Sequence, residues 1–119
     1  MTSHVRALID AWFENWACGD YKNLPISEGF THTSPFGIIE GKAAYIELVN
    51  KNKEKFLGYR FIRHDEIYEQ NKACVRYTAI QNDFALDVSE WYYIKNNLIE
   101  AVIAYYHIGD ITPERVLSN

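Results

Sequence analysis

Cysteine, methionine, proline and glycine are all scarce in this sequence, with two, one, three and six copies among 119 residues. Cys18 and Cys74 lie far apart without a Cys-x-x-Cys spacing, which argues against a disulfide scaffold and a cysteine-ligated zinc site. Cationic residues are outnumbered, twelve Lys and Arg against sixteen Asp and Glu, for a formal charge of −4. Phosphate neutralisation needs a clustered cationic excess, so no nucleic acid partner is expected. The nearest candidate, Lys51 to Lys55, is broken by Asn52 and Glu54 and reads as a solvated helix end. No run approaches the roughly 20 apolar residues of a membrane helix, and no apolar signal segment precedes the first helix. The expectation is a cytoplasmic protein with reduced thiols and no membrane partner.

Aromatic residues, by contrast, are plentiful: nine Tyr, six Phe and three Trp. Tyr and Trp combine an apolar body with a polar tip, which suits a pocket or an interface. The chain is long enough for one domain, residues 1–119, burying roughly two thirds of its unfolded surface without metal or disulfide.

Ser3 can cap a helix whose Val5, Leu8, Ile9, Trp12, Phe13 and Trp16 share one arc, and Gly19 ends it. Cys18 falls on the opposite side, at the negative end of the helix dipole, and is a poor nucleophile. Residues 20–29 hold Pro25 and Gly29 and allow little more than one helical turn. Phe30 to Ser34 alternates rings with hydroxyls and stops at Pro35, which predicts a short strand with Phe30, His32 and Ser34 on one face. A second helix is expected from Gly41 to about Lys55, burying Tyr45, Leu48, Val49 and Phe56. Four long β-branched and aromatic runs follow, 59–69, 73–81, 84–95 and 98–107, separated by Gln70-Asn71, Asn82-Asp83 and Asn96-Asn97. Such short polar breaks are hairpin turns, so the sheet is predicted to be an antiparallel meander. The fold class is therefore α+β, a curved antiparallel sheet wrapped around N-terminal helices and enclosing a cone-shaped apolar pocket. The tail from Thr112 carries a short Thr-Pro-Glu helix start.

Trp12 through Gly19-Asp20, Ser34-Pro35-Phe36-Gly37 with Gly41, Tyr92 to Asn97, and Ile103-Ala104-Tyr105-Tyr106 occur in an order and spacing that resembles the NTF2-like superfamily, and within it the SnoaL-like and ketosteroid isomerase-like proteins. The resemblance spans nearly all of residues 3–108. In the isomerases a carboxylate before the Pro-x-Gly turn moves a proton, while a helix-one Tyr and a protonated Asp hold the enolate. The matching positions here are Ser34, Trp12 and Glu90. Base and tyrosine are both replaced, so the usual steroid chemistry is not expected. Glu90 can still act, because burial raises a carboxyl pKa and a neutral acid donates a hydrogen bond.

His32 shares its face with Ser34 and could serve as a general base near neutral pH; the alternative is a core histidine satisfied by one hydrogen bond. Glu90 interrupts the apolar row Phe84, Leu86, Val88, Tyr92 and Ile94, so it must pair, protonate or meet water; Arg63 and Arg76 are the structural partners to consider. The resemblance adds Trp12, Trp16, Ser34, Phe36, Tyr77, Tyr92, Tyr105 and His107 as pocket residues. His107 is alternatively a surface residue. Ser34 with His32 lacks an oxyanion loop and is not a convincing nucleophile pair. In His64-Asp65-Glu66, strand neighbours point to opposite faces, so His64 can share a site with Glu66 but not with Asp65; a third ligand would have to come from elsewhere, and no HExxH-like spacing supplies one. The expected chemistry is free of cofactor and metal. Aromatic or apolar residues on both strand parities, including Tyr68, Ile80, Trp91 and Tyr93, imply that the outer sheet face is covered by a second copy, as a homodimer.

The functional expectation is acid–base chemistry on a small hydrophobic carbonyl compound, as isomerase, cyclase or dehydratase, with His32 as base and Glu90 as acid or oxyanion donor. The alternative is a non-catalytic dimeric module that binds an apolar ligand.

Overall fold

The computed structural model describes residues 3–115, apart from the side chain of Glu114. Helix α1, Ser3–Cys18, buries Val5, Ile9, Trp12, Phe13 and Trp16, the arc expected from their spacing. A 3₁₀ turn at Tyr21–Asn23 leads into strand β1, Ile26–Ser34. Strand β2, Gly37–Glu40, follows at once, and Ser34 pairs with Gly37 across the Pro35-Phe36 turn. The sequence reading missed β2, because four residues between two glycines show too little alternation to register as a strand.

Gly41 adopts φ 98°, a region costly for any residue with a Cβ. Its N–H donates to the Phe30 carbonyl at 2.7 Å, so it turns the chain from the sheet edge into α2, Lys42–Lys51. The single helix expected up to Lys55 is in fact two. Buried Asn52 donates its side-chain amide to the Leu48 carbonyl at 2.9 Å and leaves helical geometry at φ −124°, ψ 36°. A short α3, Lys53–Phe56, completes the layer.

The remaining strands are β3, Arg60–Tyr68; β4, Lys72–Gln81; β5, Phe84–Lys95; and β6, Leu98–Tyr105. All three expected hairpins form, and Asn96 and Asn97 both take positive φ, 52° and 62°, as a two-residue type I′ turn requires. The strand order is β2-β1-β6-β5-β4-β3. One pairing departs from the antiparallel expectation: β1 runs parallel to β6, Thr31 to Thr33 against Ala101 to Ile103. Sequence-adjacent hairpins must be antiparallel, whereas β1 reaches β6 only after the helices and the whole meander, which frees its direction.

Helices α1 and α2 pack on the inner sheet face. Phe13 meets Tyr77 edge-on at 5.0 Å, and Trp12 meets Tyr92 at 5.9 Å. A bulge between Arg63 and Asp65 reverses the facing of β3. Tyr68, expected on the outer face, therefore turns inward beneath Arg6 of α1, and Ile67 turns out, 64% exposed. No helix among the described residues is long and apolar enough to cross a membrane.

Candidate functional site

The helices and the inner sheet face enclose a cavity of about 500 Å³, within the range of small-molecule sites. Its walls include Trp12, Trp16, His32, Ser34, Phe36, Tyr77 and Glu90, all expected from the sequence, together with Tyr45, Phe56, Tyr59, Phe61 and Tyr106.

Strand β5 aims Val88, Glu90 and Tyr92 inward, and all three are buried. Glu90 stands opposite Val75 on β4 and Ala104 on β6, so its strand neighbours bring no charge. Neither arginine weighed as a partner reaches it. Arg63 bonds Asp10 at 2.9 Å and Glu66 at 2.6 Å, and Arg76 bonds Asp65 at 2.7 Å. The carboxyl group is held by neutral donors instead. Tyr92 Oη donates to Oε1, Tyr77 Oη donates to Oε2 at 3.2 Å, and the Trp12 side chain adds a third hydrogen bond. Burial pushes the Glu90 pKa up, the three donors pull it part of the way back, and the balance lies at about 7. Burial and the nearby carboxylate hold Tyr77 and Tyr92 well above their usual range, so both remain donors.

His32 lies on β1 between Ile39 of β2 and Val102 of β6. Its ring stacks on Tyr45 of α2 at 5.2 Å with an interplanar angle of 24°. Burial lowers its pKa to about 4, so the imidazole is neutral throughout the physiological range and a weaker base than the sequence suggested. The single satisfying hydrogen bond of an ordinary core histidine has no counterpart here among the described residues; the ring instead faces the cavity.

The register fixes the distance between these groups. His32 aligns with Val102, and Val102 with Tyr92, whereas Glu90 aligns with Ala104 one inward position further along. Two strand spacings and a two-residue offset put His32 and Glu90 roughly 10 Å apart or more at the backbone, on the same inner face of the sheet. They share one cavity without touching, so a substrate can lie between them.

Ser34 is engaged locally. Its Oγ accepts the Phe36 N–H at 3.2 Å and shares a hydrogen bond with the half-buried Tyr106, whose pKa burial raises. Tyr92 is fully buried behind Glu90 and does not form the wall. Tyr105 and His107, expected in the pocket, lie outside it. Val102 and Ala104 are the buried residues of late β6, which places Tyr106 inward and leaves Tyr105 58% exposed and His107 exposed. The same alternation, counted from Val102, would have found Tyr106 in the sequence.

The three residues of His64-Asp65-Glu66 go to separate partners: His64 Nε2 to Thr78 Oγ1 at 2.7 Å, Asp65 to Arg76, and Glu66 to Arg63 and Tyr68. No group of three potential metal ligands occurs among the described residues.

Solved structures with the same architecture are numerous. An NTF2-like protein of unknown function from Cytophaga hutchinsonii superposes with a TM-score of 0.72 at 20% identity, covering 86% of this chain and 88% of that one. A provisionally assigned ketosteroid isomerase from Kribbella flavida gives 0.77 at 16% identity, with 94% and 84% covered. An LEH-like epoxide hydrolase from M. tuberculosis gives 0.76 at 13%, with 92% and 86% covered. The fold is the NTF2-like α+β cone. Neither a protein-family model nor a curated protein matches the sequence significantly.

Proposed function

We propose that this chain is a cofactor-independent acid–base enzyme acting on a small hydrophobic carbonyl compound, in the manner of SnoaL-like isomerases, cyclases and dehydratases. The observation that carries the reading is Glu90: a carboxyl group on the wall of an apolar cavity, poised near neutrality and held only by uncharged donors. A group with such a pKa exchanges a proton with substrate at little cost in either direction. Glu90 therefore takes the role of proton carrier. Neutral His32, two strands away on the same inner sheet face, supplies an N–H to the oxygen where negative charge develops, a task that needs no protonated ring. This reverses the roles expected from sequence, because burial weakens the imidazole as a base and strengthens the carboxylate.

A carrier without catalysis would need walls of rings and aliphatic groups alone, and the presence of His32 and Glu90 among the titratable side chains of the cavity wall weighs against it. The test begins with native mass spectrometry of the purified protein to identify a co-purified compound. Turnover of that compound should fall at least 100-fold in Glu90→Gln, the usual range for a lost general acid or base. A loss under threefold would sink the assignment.

The chain is also proposed to work as a homodimer in the cytoplasm, with both thiols reduced. Ile67, Cys74, Trp91 and Ile103 align across β3 to β6 as an apolar band on the outer face, where Trp91 is 36% exposed. Sedimentation at micromolar concentration should read a dimer, and Trp91→Glu should read a monomer. A monomeric parent protein would remove the proposal.

A further inference from the structure

The cavity has a second polar end, far from Glu90. Arg115, in the short 3₁₀ turn Pro113–Arg115 near the end of the described chain, lines the cavity together with Ile111, so the tail contributes to its wall. The guanidinium is held in place by neutral groups. Its Nη1 donates to Gln81 Oε1 at 2.5 Å and to Tyr59 Oη at 3.1 Å, and its face stacks on Phe84, 3.9 Å from the ring centroid. Gln81 is fixed in turn, donating its amide to the Leu57 carbonyl at 2.6 Å and the Glu54 carbonyl at 3.1 Å. Among the described residues Arg115 has no carboxylate partner, and the Nη2 and Nε donors carry no protein hydrogen bond. Those two N–H groups form one edge of the planar fork, the edge that matches the two oxygens of a carboxylate. A charge pre-positioned by two hydrogen bonds and a ring, with its bidentate edge unfilled at a cavity wall, is built like an anion contact.

We infer that the ligand is an amphipathic anion: an apolar body filling the ring-lined cavity, with a carboxylate or similar acidic group bound side-on by Arg115. Phe84, beneath Arg115, and Glu90 are six residues apart on β5, roughly 20 Å of extended strand before the two side chains reach toward each other. The ligand is therefore elongated, its anionic end at Arg115 and its reacting carbon near Glu90. This orientation rests on the acid–base reading of Glu90, but the anion contact does not.

Two probes with nearly the same rings separate charge from hydrophobicity: anionic 8-anilinonaphthalene-1-sulfonate and neutral N-phenyl-1-naphthylamine. Titrated by fluorescence into the native protein, the sulfonate should bind more tightly than the neutral amine. Arg115→Gln should weaken the sulfonate about tenfold and leave the amine within twofold, since a charge-assisted bidentate contact is lost and the apolar walls remain. Arg115→Lys, which keeps the charge but loses the planar fork and the stack on Phe84, should recover only part of the preference. Glu90→Gln should leave it intact, so failure of the acid–base reading would not be mistaken for failure of this one. No preference in the native protein or a preference that survives Arg115→Gln would each overturn the inference.

Discussion

The poised carboxyl group can be tested before any substrate is known, because a pKa that differs between folded and unfolded chains makes stability depend on pH. Burial holds Glu90 at about 7 in the fold against its ordinary value of 4.5. Between those values the native state holds a proton that the unfolded chain has released, so stability falls as pH rises from about 4.5 to 7 and then levels off. The rise from 4.5 to about 7 corresponds to about 3 kcal/mol once both limits are passed, and Glu90 is buried enough that solvent screening does not reduce it. The parent protein alone would conceal this. His32, lowered to about 4 from 6.5, loses stability in the opposite direction, as pH falls through the same interval, so the two slopes partly cancel. Glu90→Gln isolates the term. The amide resembles the protonated acid in size and can accept from one tyrosine hydroxyl while donating to the other. Urea unfolding of parent and variant at pH 5 and pH 8.5 should show the variant gaining about 2–3 kcal/mol on the parent between the two conditions, roughly 5–10 °C in Tm for a domain of this size. A difference that stays constant with pH would mean that Glu90 is not poised near neutrality, and the proposed proton carrier would go with it.

His32 should stay neutral down to about pH 5, since burial holds its pKa near 4; the ring C–H resonances followed by NMR should not move between pH 8 and 5.5, and a midpoint near 6.5 would refute its burial against Tyr45. At Gly41 nothing lies within 4 Å of an added Cβ, so any cost of Gly41→Ala comes from its φ of 98° alone. Thermal unfolding should place that cost at about 1–3 kcal/mol, while Gly29→Ala, equally uncrowded and without a positive φ, should change stability by less than about 0.5 kcal/mol.

The helices, the hairpins and the position of Glu90 were legible because each rests on local repetition. The α1 arc repeats every 3.6 residues, and the uninterrupted inward alternation Val88, Glu90, Tyr92 on β5 carries its facing from one residue to the next. Facing failed where that repetition is interrupted. The bulge at Arg63 and Asp65 turns Tyr68 inward, and at the end of β6 the parity of buried Val102 and Ala104 continues to Tyr106 rather than to Tyr105 and His107. A strand carries no internal marker of which parity is buried, so one extra residue reverses everything beyond it.

Electrostatic character lies a further step from the sequence. The pattern placed His32 and Glu90 on the inner face but assigned the base to the histidine, since isolated side chains titrate in that order. Burial acts on both groups in the same physical sense, against charge, and therefore in opposite directions on the pH scale. It lowers the imidazole and raises the carboxyl group until their order of basicity inverts. The inversion depends on how much low-dielectric protein surrounds each group and on the tyrosines brought to Glu90 from β4 and from two residues along β5. Arg115 is further removed still: no periodicity connects it with Gln81 or Phe84, and only the tail's return to the cavity wall joins them. Residue types in this chain thus announce which groups can move a proton, whereas the enclosed volume decides which of them does.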